Sequence, residues 1–580
     1  MHKEKRYCLG VDFGTDSVRC LLVDAADGTA LAEAVSTYPR WQKGLYCDPK
    51  NKVFRQHPLD YTESLTSVIH KVLKAVDADV IAAIGALSMA TTGSTPAPVD
   101  KTGTPLALLP GFTEDPDAMF YLWKDHSAIQ EAADINRYNA SLGSDKGIYL
   151  DFVGGFYSPE WLWSKWLHLL RSGGDAAKAC YAFVEHADWM PFLLTGGKDI
   201  YKLKRNVCSA GHKGLWSEKW NGFPPESFLK GVDPMLSDCH DRMSKEVYNS
   251  SETAGRISPE WAKRLGLPDQ VLIGIGALDA HMGAVGGQIE PYYLSKVMGT
   301  STCDMLVVPQ DVIGQQLIYG ICGQVPGSII PGMTGMEAGQ SAFGDVYSWL
   351  SSFILTPFKW LGLDEKVSTE KLLRLLSDKA MQLTPAQWQQ LPLSTDWFNG
   401  RRSPDVQPLL KAAITGLELG TDPVMVFASL VEATCFGSRA IVERFVESGI
   451  PVKGITGLGG IAHKSPLVMQ RMADILDRPI KSNRADEACA LGAAMFAATQ
   501  AGWYEKVEQA MESMGQGFTQ TYLPKADPAW RQVLEERYLR YKALGVFIEQ
   551  EAGVDRTATT KANAKTIEKN TAKTNSKYST

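Results

Sequence analysis

The chain has 580 residues, of which 44% are apolar and 21% charged, as in an ordinary globular protein. One hydrophobic core does not support this length, so we expect two large domains. The net charge of -6 argues against a nucleic-acid-binding protein, and we find no charge-free apolar run that predicts a membrane span. Ten scattered cysteines without a Cys-x-x-Cys motif predict a cytoplasmic protein with reduced thiols.

Short strands open the chain. Residues 7–11 are apolar and strand-like, residues 12–16 predict a turn, and residues 18–23 and 29–35 predict two more strands around a hairpin turn at Asp27-Gly28. An amphipathic helix over 60–76 and a strand over 81–89 follow. We interpret the apolar stretch 271–287 as a buried strand and loop.

The same strand–turn–strand pattern returns at the middle of the chain. Residues 294–298 predict a strand, 299–302 a turn and 303–308 a strand. This pattern indicates a weak internal repeat, and two unrelated hairpins would explain it equally well. Helices are then predicted over 423–448, 465–477, 488–502 and 529–550. Residues 551–580 are rich in Thr, Lys and Asn and predict a disordered tail.

Two Gly-Thr turns are candidate phosphate-binding sites. Asp12 and the Gly14-Thr15 pair follow the first strand, and Gly299-Thr300 follows the later one. Glycine allows the backbone to approach a phosphate closely, and threonine adds a hydroxyl donor. Asp12 at a strand end is suited to face a metal ion. Each turn alone is more typical of a plain hairpin, but the two together favour a phosphate site.

A Gly pair and an acid add to this set. Gly459-Gly460 stands at a predicted strand-to-helix junction, where a nucleotide can lie against backbone, although a helix cap would need the same glycines. Asp279 follows an apolar strand among Gly and Ala residues. It is suited to accept a proton from a substrate hydroxyl, and its alternative role is to cap the next helix.

Three further places hold candidates for hydrogen bonds to sugar hydroxyls. They are the Thr-Thr-Gly-Ser-Thr run over 91–95, Lys213 in Cys-Ser-Ala-Gly-His-Lys over 208–213, and Glu337 in a Gly-rich segment. Taken singly, each polar residue would also suit an ordinary loop.

Several stretches, in colinear order over about residues 7 to 545, give the chain its resemblance to a known family. They are YPRWQKG at 38–44, TGSTPAP at 92–98, LWKDH at 122–126, CSAGHK at 208–213, GTSTCD at 299–304, GMEAGQSAFGD at 335–345, DWFNGRR at 396–402 and ALGAA at 490–494. With these stretches the chain resembles the FGGY family of carbohydrate kinases, and it is similar to the bacterial members that phosphorylate L-ribulose. Ala90 and Ser465 depart from the pattern, which often has Asp and Asn there.

The resemblance implies a fold and a reaction. The fold is α/β, a duplicated actin/Hsp70-like (ribonuclease H-like) two-lobed ATPase fold, with a first lobe over 1–290, a second lobe over 291–550 and the tail beyond. The implied reaction transfers the γ-phosphoryl group of ATP to L-ribulose in L-arabinose breakdown, with Mg²⁺ as cofactor. The implied partners are a ketopentose and ATP. No nucleic acid or membrane partner is expected, and a homodimer is an open alternative.

The resemblance also assigns roles to residues. Asp279 falls on the general base and Asp12 on the metal-facing acid; the ketose lies near Gly93, Lys213, Asp279 and Glu337. The remaining assigned residues face the nucleotide, and they are Gly14, Thr15, Gly299, Thr300, Gly459 and Gly460. The alternatives are a kinase of another pentulose such as xylulose, a non-catalytic sugar-binding protein or scaffold on the same fold, and an actin-like filament former.

Overall fold

The computed structural model describes residues 6–314, 316–363 and 367–554. Most of the predicted disordered tail, residues 555–580, lies outside this part of the chain. The strands, in chain order, are β1 (Tyr7–Phe13), β2 (Ser17–Asp24), β3 (Ala30–Thr37), β4 (Cys47–Asp48), β5 (Val53–Gln56), β6 (Ile84–Thr91), β7 (Pro96–Val99), β8 (Phe120–Tyr121), β9 (Ala182–Glu185), β10 (Arg205–Asn206), β11 (Val247–Tyr248), β12 (Thr253–Arg256), β13 (Leu272–Gly274), β14 (Ala277–Leu278), β15 (Tyr293–Met298), β16 (Thr302–Pro309), β17 (Gly323–Pro326), β18 (Met333–Ala338), β19 (Leu393–Ser394), β20 (Ile414–Thr415), β21 (Gly454–Leu458), β22 (Ile480–Asn483) and β23 (Phe518–Tyr522).

The α-helices alternate with these strands. They are α1 (Pro39–Gln42), α2 (Pro58–Lys74), α3 (Ala78–Ala82), α4 (Ile129–Ser141), α5 (Gly143–Lys146), α6 (Leu162–Ser172), α7 (Asp175–Ala179), α8 (His186–Leu194), α9 (Val207–Gly214), α10 (Glu226–Val232), α11 (Pro259–Leu265), α12 (Asp279–Gly286), α13 (Gln310–Ile313), α14 (Gly344–Trp360), α15 (Thr369–Ala380), α16 (Pro385–Gln389), α17 (Pro423–Glu447), α18 (Gly460–Lys464), α19 (Pro466–Leu476), α20 (Ala488–Gln500), α21 (Val507–Met514) and α22 (Pro528–Glu551).

Two large sheets share one arrangement of strands. In the first, the order is β12-β13-β6-β1-β2-β3, with β14 also beside β6; in the second it is β17-β18-β16-β15-β21-β22-β23. Strand β1 pairs antiparallel with β2 and parallel with β6, and β15 pairs antiparallel with β16 and parallel with β21. The repeated pairing is a duplication at the level of structure, and each Gly-Thr turn occupies the same place in its copy.

Helices α12 and α20 cross at the junction between the sheets, where backbone meets backbone. A Cβ atom added at Gly492 of α20 would lie 1.9 Å from the Met282 carbonyl oxygen of α12, and one added at Gly10 of β1 would lie 1.8 Å from the Ala490 carbonyl oxygen. Glycine is therefore required at both contacts. Helix α20 comes late in the sequence, yet it packs on β1, so the predicted division of the chain at residue 290 remains a prediction.

Most predicted elements match the structure to within a few residues, including helices α2, α17, α19, α20 and α22. Two predictions need correction. Asp12 and Phe13 belong to β1 and not to the turn, because β1 continues its pairing with β2 and β6 through Phe13. The stretch 271–287 ends in helix α12, whose Gly and Ala residues give no clear period but pack closely against α20.

One described helix differs from our expectation about membrane spans. By length and composition alone, Pro423–Glu447 is apolar enough to cross a bilayer, but 72% of its apolar window is buried inside the protein. It packs in the core of the second sheet. All ten cysteines are free thiols, as the absence of a disulfide framework predicts.

Candidate active site

Asp12 lies near the end of β1, with β2 and β6 on either side. In the sheet it stands opposite Arg19 of β2 and Ala90 of β6. Its Oδ2 atom is 3.6 Å from Arg19 Nη1, whereas its buried Oδ1 atom accepts no hydrogen bond within the described residues. Burial raises the pKa of Asp12 to about 7, the charge of Asp279 adds to the rise, and Arg19 opposes it.

Asp279 is the first residue of α12 and follows β14 directly. Since β14 pairs with β6 on the side away from β1, both acids lie at the same edge of the sheet, separated by β6. Burial raises the pKa of Asp279 to about 6, and the backbone N–H of Ala280, 2.7 Å from Oδ1, opposes the rise. A carboxylate with a pKa near neutrality at a strand end is suited to proton transfer.

Gly93 lies beside this acid. It follows the end of β6, and a Cβ atom added to it would meet Leu278 Cδ2 at 2.2 Å. Leu278 immediately precedes Asp279, so a larger residue at position 93 would push against the start of α12. The structure thus gives Gly93 a steric role in the position of Asp279.

The two Gly-Thr turns have free backbone donors. Gly14 N–H donates to Ser17 O and Gly299 N–H to Ser301 O, each at 3.0 Å. The N–H groups of Thr15 and Thr300 donate to no other group in the part of the chain that the structure describes. Such unpaired N–H groups at a tight turn are suited to phosphate oxygens.

Hydrogen bonds from other parts of the chain hold each turn in place. The Thr15 hydroxyl accepts a hydrogen bond from Trp123 Nε1 at 3.0 Å, and Gln56 Nε2 donates to Thr15 O at 2.7 Å. In the second turn, Gly344 N–H donates to Gly299 O at 3.0 Å and Phe343 N–H to Thr300 O at 2.8 Å. The start of α14 therefore fixes the second turn.

Gly459 and Gly460 join β21 to α18, as the predicted junction requires. Gly459 has a φ of +85°, and a Cβ atom there would lie 2.7 Å from Met298 O, so only glycine fits. Met298 immediately precedes the second Gly-Thr turn. No atom lies within 4 Å of a Cβ added at Gly460, which leaves open space beside this backbone.

Lys213 and Glu337 form an ion pair between the two halves of the chain. Lys213 Nζ of α9 donates to both oxygens of Glu337 in β18, at 2.8 and 2.9 Å. The ammonium holds the pKa of Glu337 well below its usual value against the effect of burial, and the pKa of Lys213 is raised in turn. Lys213 also lies over the ring of Trp161, 5.2 Å from its centroid.

Two histidines surround the same carboxylate. His281 Nε2 is 3.5 Å from Glu337 Oε2, and His212 Nδ1 is 3.7 Å from it. Neighbouring Cys208 and Glu337 raise the pKa of His281 to about 9 in spite of burial, whereas burial and the adjacent His281 lower that of His212. We therefore expect His281 to be a cation and His212 to be neutral at pH 7.

The structure places the predicted residues in two groups, one in each half of the chain, and the Lys213–Glu337 ion pair joins the halves. Asp12, Gly14, Thr15, Gly93 and Asp279 lie at one edge of the first sheet, and Lys213 joins them to Glu337. Gly299, Thr300, Gly459 and Gly460 form a second group in the other half, where Gly459 packs against the backbone of Met298, next to the Gly299-Thr300 turn. The sequence interpretation missed three charged neighbours, and only their spatial proximity indicates them: Arg19, Glu160 and Arg402.

The fold defines the class of protein. The solved structure of a xylulose kinase from Rhodospirillum rubrum has a TM-score of 0.75 to this chain at 17% identity, covering 94% of this chain and 99% of that one. The chain therefore has the duplicated, two-lobed actin/Hsp70-like fold.

Sequence comparison then gives the family. The pattern described as "FGGY family of carbohydrate kinases, N-terminal domain" matches residues 7–286, and the corresponding C-terminal domain matches residues 294–501. The chain belongs to the FGGY family of carbohydrate kinases and is a phosphotransferase that uses ATP.

Two relatives match over nearly the whole chain. A ribulokinase of Vibrio parahaemolyticus is 42% identical over 558 residues, which are 95% of this chain and 97% of the relative. A ribulokinase of Halalkalibacterium halodurans is 35% identical over 552 residues, or 93% and 94%.

Proposed function

We propose that this kinase phosphorylates L-ribulose to L-ribulose 5-phosphate with ATP, in L-arabinose breakdown. The observation that carries the proposal is the 42% identity to a ribulokinase over 95% of the chain. Ten free thiols and the use of ATP suit a cytoplasmic enzyme. We keep a homodimer as a prediction.

Asp279 is the proposed general base. It accepts the proton of the C5 hydroxyl as that oxygen attacks the γ-phosphorus atom. Its place at the start of α12, its burial and its pKa of about 6 support this role, because the carboxylate is ionised at neutral pH and basic enough to take a proton.

Lys213 and Glu337 are the proposed contacts of the other sugar hydroxyls, with Gly93 beside them. The ammonium offers donors and the carboxylate offers acceptors, and the ion pair keeps both groups charged. Each would exchange part of this pairing for a hydroxyl when the sugar binds.

The Gly-Thr turns are the proposed phosphate cradle. Thr15 and Thr300 present free backbone N–H groups and hydroxyls from both halves of the chain, and Gly14 and Gly299 allow a phosphate to approach the backbone of each turn. Gly459 and Gly460 are the proposed backbone beside the nucleoside, with open space at Gly460. Because the two turns belong to different lobes, both can contact the phosphates only when the lobes are close together.

Asp12 fits the expected Mg²⁺. Its buried, unbonded Oδ1 atom is suited to a hard cation or to a water bound to one. The described residues hold no cluster of three or more His, Cys, Asp or Glu side chains that would bind a metal, so phosphate oxygens and water would complete the shell. When bound, Mg²⁺ neutralises phosphate charge.

The sharpest test is a coupled ADP-release assay across L-ribulose, D-ribulose, L-xylulose, D-xylulose and glycerol. L-Ribulose should give the highest kcat/KM. A strong preference for D-xylulose would contradict the named substrate only, and no turnover with any pentulose would favour a non-catalytic sugar-binding protein.

A further inference from the structure

A second ion pair bridges the two halves of the chain, at Arg402. Arg402 Nη2 lies 3.8 Å from Glu160 Oε1, and the same Glu160 oxygen lies 2.8 Å from His126 Nε2. The Arg402 side chain is 21% exposed, and its guanidinium makes no hydrogen bond to any residue in the described ranges. None of the Arg402 nitrogens is a buried atom without a partner, so the guanidinium is accessible at the junction of the two lobes and can donate to a ligand.

The neighbouring residues place Arg402 on the sugar side. The hydroxyl of the next residue, Ser403, is 3.5 Å from Cys322 Sγ, and Cys322 N–H donates to Glu337 O at 2.7 Å. Glu160, Cys303, Cys322 and Glu337 act electrostatically on Arg402. Arg402 therefore borders the proposed sugar contact Glu337.

Glu337 links the surroundings of Arg402 to those of Asp279. Glu337 Oε2 lies 3.5 Å from Nε2 of His281, two residues after Asp279, and Glu337 acts electrostatically on both Asp279 and Arg402. If the attacking hydroxyl lies at Asp279, the far end of the sugar extends past Glu337 towards Arg402.

The chemistry of the substrate identifies what lies at that far end. L-Ribulose closes its five-membered ring by adding the C5 hydroxyl to C2, so a molecule whose C5 hydroxyl is free to attack ATP carries a free C2 carbonyl. That carbonyl oxygen accepts hydrogen bonds and donates none, whereas every hydroxyl does both. Glu160 and Glu337 cannot donate to it as carboxylates, but a guanidinium can.

We propose that the Arg402 guanidinium donates to the C2 carbonyl oxygen of the bound ketose and makes the site prefer a ketose to a pentitol. This inference rests on the proposed function, because it requires phosphorylation at the end opposite the carbonyl. Glu160, held by His126, then acts as a positioning residue that aims the guanidinium across the junction. A rival explanation is that the Arg402–Glu160 pair only holds the lobes together.

The test compares one ketose with its two reduction products. For the native chain and for Arg402→Met, kcat/KM is measured with L-ribulose, ribitol and L-arabinitol; a pentitol that is not phosphorylated is measured as a competitive inhibitor of L-ribulose. Loss of a hydrogen bond from a charged donor should lower kcat/KM for L-ribulose about 10- to 100-fold. The pentitol constants should change less than about threefold, and KM for ATP should not change.

Two further variants keep the test decisive. Arg402→Lys retains a cation and should show a smaller loss with the same selectivity for the ketose. Arg401→Met is the matched control: its guanidinium points to Glu549 Oε1 at 2.5 Å and to Asp405 O at 3.0 Å, so its loss should leave the ratio of L-ribulose to pentitol unchanged.

The outcomes separate the two hypotheses. If the native chain turns over L-ribulose but Arg402→Met and Arg402→Lys weaken ketose and pentitols equally, the carbonyl contact is wrong and the pair only joins the lobes. If the native chain does not phosphorylate L-ribulose, the proposed function itself is wrong, and this inference fails with it.

Discussion

Asp12 and Asp279 lie at the same edge of the first sheet, but their surroundings suit different roles. Both are raised in pKa by burial, yet Asp12 has a guanidinium 3.6 Å away and an unbonded oxygen, while Asp279 has a backbone donor at the start of a helix. The first surrounding suits an acid whose free oxygen faces a cation, because a bound cation would favour the charged form that burial disfavours. The second suits an acid that gains and loses a proton, which is the role that we propose for Asp279.

Asp279→Asn should abolish most turnover. An amide cannot accept the hydroxyl proton, and general-base assistance is typically worth about 10²–10⁴ in rate. ADP release should fall by that factor, while ATP binding measured by calorimetry should stay within about threefold, since the proposed nucleotide contacts lie elsewhere. Asp27→Asn, in the exposed turn between β2 and β3, is the matched control and should be near native. Near-normal turnover of Asp279→Asn would remove the residue from the base role.

The pH dependence follows from the same residue. The pKa of Asp279 is raised to about 6, so the carboxylate that accepts the proton is present above pH 6 and is lost as the pH falls below it. At saturating Mg²⁺ and ATP, kcat/KM for the sugar should be level from pH 7 to 8 and fall about tenfold per unit below about pH 6, since kcat/KM reports the enzyme before it binds the sugar. A profile that stays level down to pH 5 would contradict this assignment.

The sequence indicates these acids as candidates because Asp279 follows an apolar strand and Asp12 lies near the end of one, where a polar side chain can meet a ligand. It could not indicate Arg402 or Glu160, which lie 242 positions apart and make no local pattern. Their 3.8 Å separation depends on how the two halves of the chain meet. Which residues surround a charge is a property of tertiary structure, and so the perturbed pKa values were not predictable either.

At the scale of elements, the structure confirms the helices whose sequences have a clear hydrophobic period. Helices α2 and α22 have apolar faces that a sequence shows directly, and their bounds were predicted to within about two residues at most ends. Helix α12 was missed because its Gly-rich, Ala-rich sequence has no apolar stripe. It is buried from several sides, and glycine serves its close packing against α20.

Gly492→Ala tests this crossing. Alanine has the better helix propensity by about 1 kcal/mol, but its Cβ would lie 1.9 Å from a backbone carbonyl that cannot rotate away. The clash should dominate and lower stability by about 1–3 kcal/mol, the usual cost of overpacking, seen as a lower Tm. Turnover should fall as well, because α12 begins with Asp279.

Gly420→Ala is the matched control for this variant. Gly420 has open space around its Cβ position and no positive φ, so its Tm should be native. An unchanged or higher Tm for Gly492→Ala would show that α12 and α20 separate easily.

At the scale of the whole molecule, the duplication places half of the site on each sheet. Asp12, Asp279 and the first Gly-Thr turn come from one copy, and Glu337 and the second turn from the other. A strand–turn–strand repeat in the sequence suggested this, yet two hairpins would have given the same pattern. Only the common order of strands, with β1 and β15 in equivalent places, separates these interpretations.

Two ion pairs join the halves beside the proposed sugar site, Lys213–Glu337 and Arg402–Glu160, so the lobes should open when the first pair is weakened. Removing one partner of a buried pair costs about 3–5 kcal/mol, because the other charge stays buried. Glu337→Gln without ligand should therefore show a larger radius of gyration in X-ray scattering and a higher KM for the sugar. Asp304→Asn is the matched control.

Asp304 separates loss of stability from loss of lobe contact. It is fully buried with Lys296 at 2.8 Å, and both residues belong to the second sheet. Asp304→Asn should lower the Tm by breaking a pair of the same kind, yet it should keep the native radius of gyration because the pair does not cross the junction. If both variants kept the native radius, the Lys213–Glu337 pair would contribute to the sugar site without holding the lobes together. If both variants had a larger radius of gyration, the cause would be a general loss of stability in the second lobe. A broken contact between the lobes should enlarge the radius of Glu337→Gln alone.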